Sequence, residues 1–154
     1  MTMSGHARNR RQVLALAAAG TTALLLCPSA SIAGTEQVAA EIKKLFGDKK
    51  ATEGKIKLDL PSIAENGLVV PLSFEVESPM TDKDYVKSVH VFAEGNPNPQ
   101  VASFRFTPMS PKAAAAIRIR LAQTQNIVVI AEMSSGEIFT AKKEVKVTIG
   151  GCGG

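Results

Sequence analysis

Short runs of alternating apolar and polar residues make up most of the chain after residue 55. In the first run, Ile56, Leu58 and Leu60 alternate with lysine and aspartate side chains. This period of two is typical of a β-strand with one buried and one solvated face. Turn-forming pairs such as Asn66-Gly67 separate the runs. The predicted strands are 55–60, 68–77, 85–93, 100–107, 115–121, 124–133 and 138–149.

About seven short strands separated by turns predict an all-β fold, an immunoglobulin-like antiparallel β-sandwich. One N-terminal helix is predicted before them, over residues 35–46. Its apolar residues Val38, Ile42 and Leu45 recur at helical spacing. Gly47 follows as a C-terminal stop. The strand of residues 124–133 departs from the alternation, because it is apolar on both faces.

The first 33 residues have the features of an export signal. Arg8, Arg10 and Arg11 precede the apolar run Val13–Leu26, and small residues follow up to Ala33. A positive start, an apolar centre and a small-residue cleavage site are typical of a secretory signal peptide. The arginine pair favours the twin-arginine route, and we expect cleavage after Ala33 and a periplasmic location.

The rest of the chain divides into a domain and a tail. We predict a β-sandwich domain over residues 34–149 and a flexible C-terminal arm over residues 150–154. Cys27 lies in the export signal and follows the large residue Leu26. A lipidation site needs a small residue there, so we interpret Cys27 as part of the removed leader.

The charge of the chain argues against two classes of partner. Of its 18 basic side chains, three lie in residues 1–33, which leaves 15 against 14 acidic ones. A nearly neutral domain lacks the basic surface that binds nucleic acid. It also lacks a basic amphipathic helix for a membrane surface. We therefore expect neither a nucleic-acid partner nor membrane association.

Most of the residue patterns that indicate an enzyme are missing. His90 is the only histidine after the leader, and no cysteine pair accompanies it, so a histidine-based metal site is not expected. A dyad of His90 with Cys152 would need the cysteine to be held at a fixed distance from its base. A glycine tail gives no such support. We expect no catalytic residue, no metal and no cofactor.

The last five residues carry the strongest chemical signal. Cys152 is the only cysteine after the leader, and Gly150, Gly151, Gly153 and Gly154 flank it. Glycine has the widest backbone freedom and no side chain, so the arm should be flexible and thin. Fully extended, five residues reach roughly 17 Å. A lone exported cysteine indicates either a free reactive thiol or an intermolecular disulfide.

The chain resembles a known family at these residues. Its ending 145–154, Val-Lys-Val-Thr-Ile-Gly-Gly-Cys-Gly-Gly, is similar to that of the Y subunits of SoxYZ, the thiosulfate-oxidising carrier of the Sox system. The resemblance covers essentially the whole mature chain. Other similar segments are 45–47, 64–67, 77–80, 92–94, 96–99 and 131–134.

This resemblance implies a function in thiosulfate oxidation without catalytic activity of the chain itself. Cys152 would be the covalent attachment point for sulfur, on a sandwich that pairs with a Z subunit as a heterodimer. A haem-containing enzyme would load thiosulfate, a hydrolase would release sulfate, and a sulfur dehydrogenase would act where one is present. Because residues 124–133 are apolar on both faces, we expect part of that surface, or of a neighbouring strand, to be buried against the Z subunit.

Two other functions remain open from the residues. A ubiquitin-like sulfur donor also ends in Gly-Gly and would carry a thiocarboxylate on Gly154. The export signal argues against it, because activating that carboxylate needs cytoplasmic ATP. The second is a structural domain that dimerises through Cys152.

Overall fold

The computed structural model of the protein describes the backbone of residues 30–150 and the side chains of residues 34–150. One helix, α1 (Ala30–Phe46), precedes nine strands. They are β1 (Ala51–Glu53), β2 (Ile56–Asp59), β3 (Ile63–Asn66), β4 (Val70–Val76), β5 (Val86–Ala93), β6 (Gln100–Arg105), β7 (Ala113–Ile119), β8 (Gln125–Met133) and β9 (Ile138–Ile149). The predicted helix ends at the same residue and starts later than α1 does. The predicted leader up to residue 29 and the arm after Gly150 lie outside the described residues.

The strands form two sheets, which confirms the predicted all-β sandwich. The larger sheet has the order β1-β9-β8-β5-β6, with β3 also paired to β9. The smaller sheet has the order β2-β4-β7. All seven predicted strands are present. The two additional strands, β1 and β3, run parallel to β9, so the sandwich is antiparallel except along this edge.

The main core lies between the two sheets. Val70, Leu72 and Phe74 of β4 point inward with alternate exposed or half-buried neighbours, as the sequence pattern predicts. From the larger sheet, Val89, Val91, Ile127 and Val129 are among the residues that complete this core. On β4, the alternation of apolar residues therefore identifies the inner face correctly.

A second apolar cluster explains why β8 is apolar on both faces. The outer face of the larger sheet contributes buried Phe92, Val128 and Ile130, and α1 covers them with Val38 and Phe46. The chain's own helix therefore covers these residues of β8, and the expected contact with the Z subunit, on part of this surface or of a neighbouring strand, stays a prediction. Among the described residues, no helix has the length and apolar character needed to cross a membrane.

The helix-covered cluster should contribute strongly to stability. Phe92 is fully buried in it, and replacing a buried Phe with Ala typically costs about 3–5 kcal/mol. We expect Phe92→Ala to lower the free energy of unfolding by this amount in urea titrations. Met109→Ala is the control, because Met109 is 94% exposed. Equal urea midpoints for the two variants would show that the packing of α1 on this face contributes little to stability.

Candidate functional site

The tail leaves the sandwich at the end of β9. Ile149 is the last residue of that strand and Gly150 is the last described residue. Cys152 and its neighbours Gly151, Gly153 and Gly154, predicted from the sequence to form the reactive arm, lie outside the described residues. The structure therefore shows how the root of the arm, Val147–Gly150, is attached to the domain.

Gly67 ties the end of β9 to the rest of the sandwich. Its N–H donates to the carbonyl of Ile149 over 2.8 Å, and its carbonyl accepts from the N–H of Leu121 over 2.8 Å. Leu121 is fully buried and so anchors this chain of bonds in the core. The Asn66-Gly67 pair forms the predicted turn, in which Asn66 Oδ1 accepts from the N–H of Leu68. The turn is thereby bonded both to Ile149 at the end of β9 and to Leu121 after β7.

Gly150 has a packing function that sequence reasoning did not reveal. A Cβ atom at this position would overlap the carbonyl oxygen of Ala122. The root of the arm thus lies directly against the backbone of the turn that joins β7 to β8, residues 120–124. The predicted contribution of Gly150 to arm flexibility stays a prediction, and close packing is a second reason for glycine there.

Thr124 makes a further connection between this turn and the root. The N–H of Val147 donates to Thr124 Oγ1 over 2.9 Å, and the hydroxyl lies 3.5 Å from the Val147 carbonyl oxygen. The β8–β9 ladder ends at the pair Gln125–Val145. The threonine hydroxyl therefore satisfies a backbone donor of β9 just beyond the last ladder pair.

A buried pair of amide side chains supports the 120–124 turn from behind. Asn96 and Gln125 are 5% and 6% exposed, and Gln125 Nε2 donates to Asn96 Oδ1 over 2.9 Å. Asn96 also binds the carbonyl of Arg120 and the N–H of Ala122. Gln125 Nε2 donates to the carbonyl of Gln123 as well. The two amides thus bind the backbone on both sides of Ala122.

No residue pattern in the sequence predicts this amide pair. Asn96 belongs to a run of loop-forming residues, 95–99, and Gln125 begins a strand. Gly95 also contributes, since its N–H donates to Gln125 Oε1 over 2.6 Å. A Cβ on Gly95 would lie 3.0 Å from Gln123 Nε2. Only the fold shows that these loops meet at one end of the sandwich.

The surface around the root is apolar. Ile149 is 68% exposed, Val69 is 58% exposed and Leu68 is 43% exposed. Leu68 and Val69 directly follow Gly67, which binds Ile149. The point where the arm leaves the domain is therefore flanked by apolar side chains that have no cover within the described chain.

His90 lies far from this site. It pairs with Ile130 across β5 and β8, and Ile130 pairs with Thr140 across β8 and β9. The nine residues from Thr140 to Ile149 span on the order of 30 Å along a strand. Three residues separate Cys152 from Ile149 in sequence, and three fully extended residues reach at most about 10 Å. An arm of this reach does not span that separation, which argues against a His90–Cys152 dyad within one chain, as the sequence does.

His90 instead belongs to the surface that α1 covers. Its ring meets the edge of Phe46 at a centroid distance of 5.4 Å, and Gln100 Nε2 lies 3.3 Å from its Nδ1. Burial lowers the pKa of His90 below its ordinary value of 6.5, Glu132 opposes this shift and Arg105 adds to it. Within residues 34–150, no group of three His, Cys, Asp or Glu side chains could hold a metal ion.

Comparisons with known proteins agree with the sequence resemblance. A family model described as "Sulfur oxidation protein SoxY" matches residues 42–152, a span that includes Cys152. The solved structure of the sulfur carrier protein SoxY from Chlorobium limicola f thiosulfatophilum is similar, with a TM-score of 0.64 and 33% identity. That similarity covers 75% of this chain and 99% of the solved one. No curated protein sequence matches the chain.

Two further solved structures share the fold alone. A superoxide reductase (neelaredoxin) from Ignicoccus hospitalis has a TM-score of 0.55 and 20% identity, over 69% of this chain and 85% of its own. A putative superoxide reductase from Thermotoga maritima has a TM-score of 0.54 and 13% identity. The similarity covers 64% of this chain and 93% of the solved one. At such low identity these similarities indicate architecture and carry no inference about activity.

The lowered pKa of His90 predicts acid sensitivity. The unfolded chain takes up a proton near pH 6.5, whereas folded His90 resists it. Stability from this residue is therefore present above pH 6.5 and lost as the pH falls towards the lower pKa of the folded state. We expect the urea midpoint of the wild type to fall more steeply with acid than that of His90→Gln. Urea midpoints that fall equally with pH in the wild type and in His90→Gln would contradict this prediction.

The contact between Gly150 and Ala122 predicts a local effect of substitution. Gly150→Ala should push the root away from the turn and weaken the bonds that Gly67 makes to Ile149 and Leu121. Amide hydrogen exchange at Gly67 and Leu121 should then accelerate, with little change in global stability. Met109→Ala is an exposed control. Unchanged exchange at both amides would show that the root is not tightly packed.

Proposed function

This chain belongs to the SoxY family of sulfur oxidation proteins, and on that basis we propose that it is a periplasmic carrier that holds sulfur intermediates covalently on the thiol of Cys152. The observation that carries the proposal is the family match through residue 152 together with a lone cysteine between paired glycines. The similar protein from Chlorobium limicola is described as a sulfur carrier.

The chemistry proposed for Cys152 begins with an oxidation. Its thiol loses a proton and forms an S–S bond to the outer sulfur of thiosulfate. Two electrons leave in this step, and a haem-containing partner enzyme accepts them. Water then attacks the terminal sulfone sulfur in a hydrolase, the S–S bond to that sulfur breaks, and sulfate departs. A persulfide remains on Cys152.

The persulfide can be oxidised further by a partner enzyme. Where a sulfur dehydrogenase is present, that enzyme removes six electrons from the outer sulfur, which gains three oxygen atoms from water. A second hydrolysis then releases sulfate and restores the Cys152 thiol. No step needs a catalytic group on the carrier, which is consistent with the distance between His90 and the root of the arm.

A short tethered arm suits this chemistry for two reasons. Glycines on both sides of Cys152 leave no side chains to widen the strand, so the arm fits a narrow active-site channel. Attachment to one carrier also keeps each intermediate at a high effective concentration for the next enzyme. The rigid packing at Gly150 gives the arm a fixed origin.

The proposal includes a Z subunit as a heterodimeric partner, in accord with the family resemblance. Because α1 already covers Val128 and Ile130 of β8, a neighbouring strand is the better candidate for the contact with the Z subunit. The twin-arginine leader supports export of a preformed complex. The exposed Ile149, Val69 and Leu68 provide an apolar contact surface for partner enzymes around the point where the arm leaves.

The thiol can be tested directly. We expect Cys152→Ser to abolish thiosulfate-dependent sulfate release in a reconstituted system, because oxygen cannot replace the sulfur of the S–S bond. Its unfolding midpoint should equal that of the wild type, since the arm adds nothing to the core. Normal sulfate release by this variant would refute the carrier function.

The thin arm predicts a second result in the same system. Gly151→Val should slow loading and sulfate release, since a branched side chain stiffens and widens the arm. Met109→Val is the control, because it places a valine on the exposed surface outside the arm. Equal rates for the two variants with every partner enzyme would indicate that the arm enters no narrow channel.

A further inference from the structure

Three connections meet where the arm begins: the β3–β4 turn at Gly67, the β5–β6 loop and the β7–β8 turn. Side chains with no assigned function hold the last two in place. The β5–β6 loop carries Asn96, and the β7–β8 turn leads to Thr124 and Gln125. We name these three residues the root clamp. The two amides bind the turn that lies against Gly150, and Thr124 connects the same turn to the N–H of Val147 on β9.

The amide pair of the root clamp holds one peptide group in particular. Asn96 Oδ1 accepts from the N–H of Ala122 over 3.0 Å, and Gln125 Nε2 donates to the carbonyl of Gln123 over 3.1 Å. The carbonyl group of Ala122 lies between these two points. It is the group that a side chain on Gly150 would overlap. The amides therefore set the surface against which the arm starts.

Such a buried amide pair is costly unless it is fully bonded. Within the described residues, no buried side-chain nitrogen or oxygen lacks a hydrogen-bond partner. Asn96 Oδ1 accepts two bonds, and Gln125 Nε2 donates two. A fully bonded network of this kind rigidifies its surroundings. Here the rigid element is a turn rather than the centre of the core.

From these contacts we propose that Asn96, Gln125 and Thr124 are positioning residues that set the direction in which the sulfur-carrying arm leaves the domain. The inference rests on the proposed carrier function. Only two peptide units separate Gly150 from Cys152, about 7 Å when extended. With an arm of this length, a rotation of about 30° at the root moves the sulfur by roughly 4 Å, enough to miss a narrow site. Productive entry into a partner enzyme therefore requires a fixed root.

Thr124 offers the cleanest test, because its side chain is exposed and its loss should not unfold the protein. Thr124→Val removes the bond to the Val147 N–H and keeps the side-chain shape, whereas Thr124→Ser retains the hydroxyl. Thr81→Val is a matched control, since Thr81 Oγ1 accepts from the N–H of Asp84 in another loop. Asn96→Ala, which removes three bonds, tests the buried part of the clamp.

The direction of the arm can be measured without any partner enzyme. In the full chain with Cys27→Ser, one nitroxide label is placed on Cys152 and another on Met109→Cys, an exposed site. Pulsed electron paramagnetic resonance then gives the distribution of distances between the labels. We expect Thr124→Val and Asn96→Ala to broaden or shift it, and Thr124→Ser and Thr81→Val to leave it unchanged. An unchanged distribution in Thr124→Val overturns the proposal, whatever happens in the other variants.

Kinetics with the sulfate-releasing hydrolase provide the functional half of the test. With loaded carrier as substrate, Thr124→Val should raise KM by roughly two- to tenfold, the range expected for one lost hydrogen bond. The value of kcat should not change, because an arm that has entered reacts normally. A lower kcat with unchanged KM would contradict a positioning function. If Cys152 accepts no sulfur at all, the carrier function fails, while the distance measurement still decides whether the clamp orients the arm.

Discussion

The hydrogen bond from the Gly67 N–H to the Ile149 carbonyl fixes the end of β9, the last strand before the C-terminal tail. The placement of Gly150, the last described residue, depends on this attachment. β9 is the longest strand, at twelve residues, and it pairs with β8 on one side and with β1 and β3 on the other. Its C-terminal end would be expected to fray without cover. Gly67, Ala122 and Thr124 each contact it there.

This attachment gives a physical division between a rigid body and a short arm. The two sheets bury an extensive apolar core, and α1 seals the outer face of the larger sheet. The amide pair then extends that rigidity to the turn beside Gly150. Flexibility is useful in a carrier only beyond a fixed origin, since a mobile origin would lower the effective concentration of the sulfur at the partner's site.

Much of the fold could be predicted from the sequence because alternation reports burial directly. Leu72 and Phe74, for example, follow the pattern of inward residues on β4. β1 and β3 could not be predicted, since they have three and four mostly exposed residues and no alternating apolar pattern. The apolar outer face of β8 was identified, but the pattern did not reveal that α1 covers it. Periodicity shows that a face is buried without showing what buries it.

The candidate site could likewise be predicted only in part from the sequence. Cys152 and its glycines stand out in the sequence because their chemistry is local, whereas the contact of Gly150 with Ala122 and the pairing of Asn96 with Gln125 depend on loops that only the fold brings together. Residue types alone cannot show such long-range contacts.

The central claim is that sulfur is carried on the thiol at the end of this arm. The most direct measurement is the mass of the C-terminal peptide, with tandem fragmentation, from protein isolated from cells oxidising thiosulfate. A sulfur carrier should show added sulfur or a thiosulfonate group on Cys152 that a reducing agent removes. Added sulfur on the carboxylate of Gly154, or a disulfide-linked dimer of otherwise unmodified peptides, would contradict it.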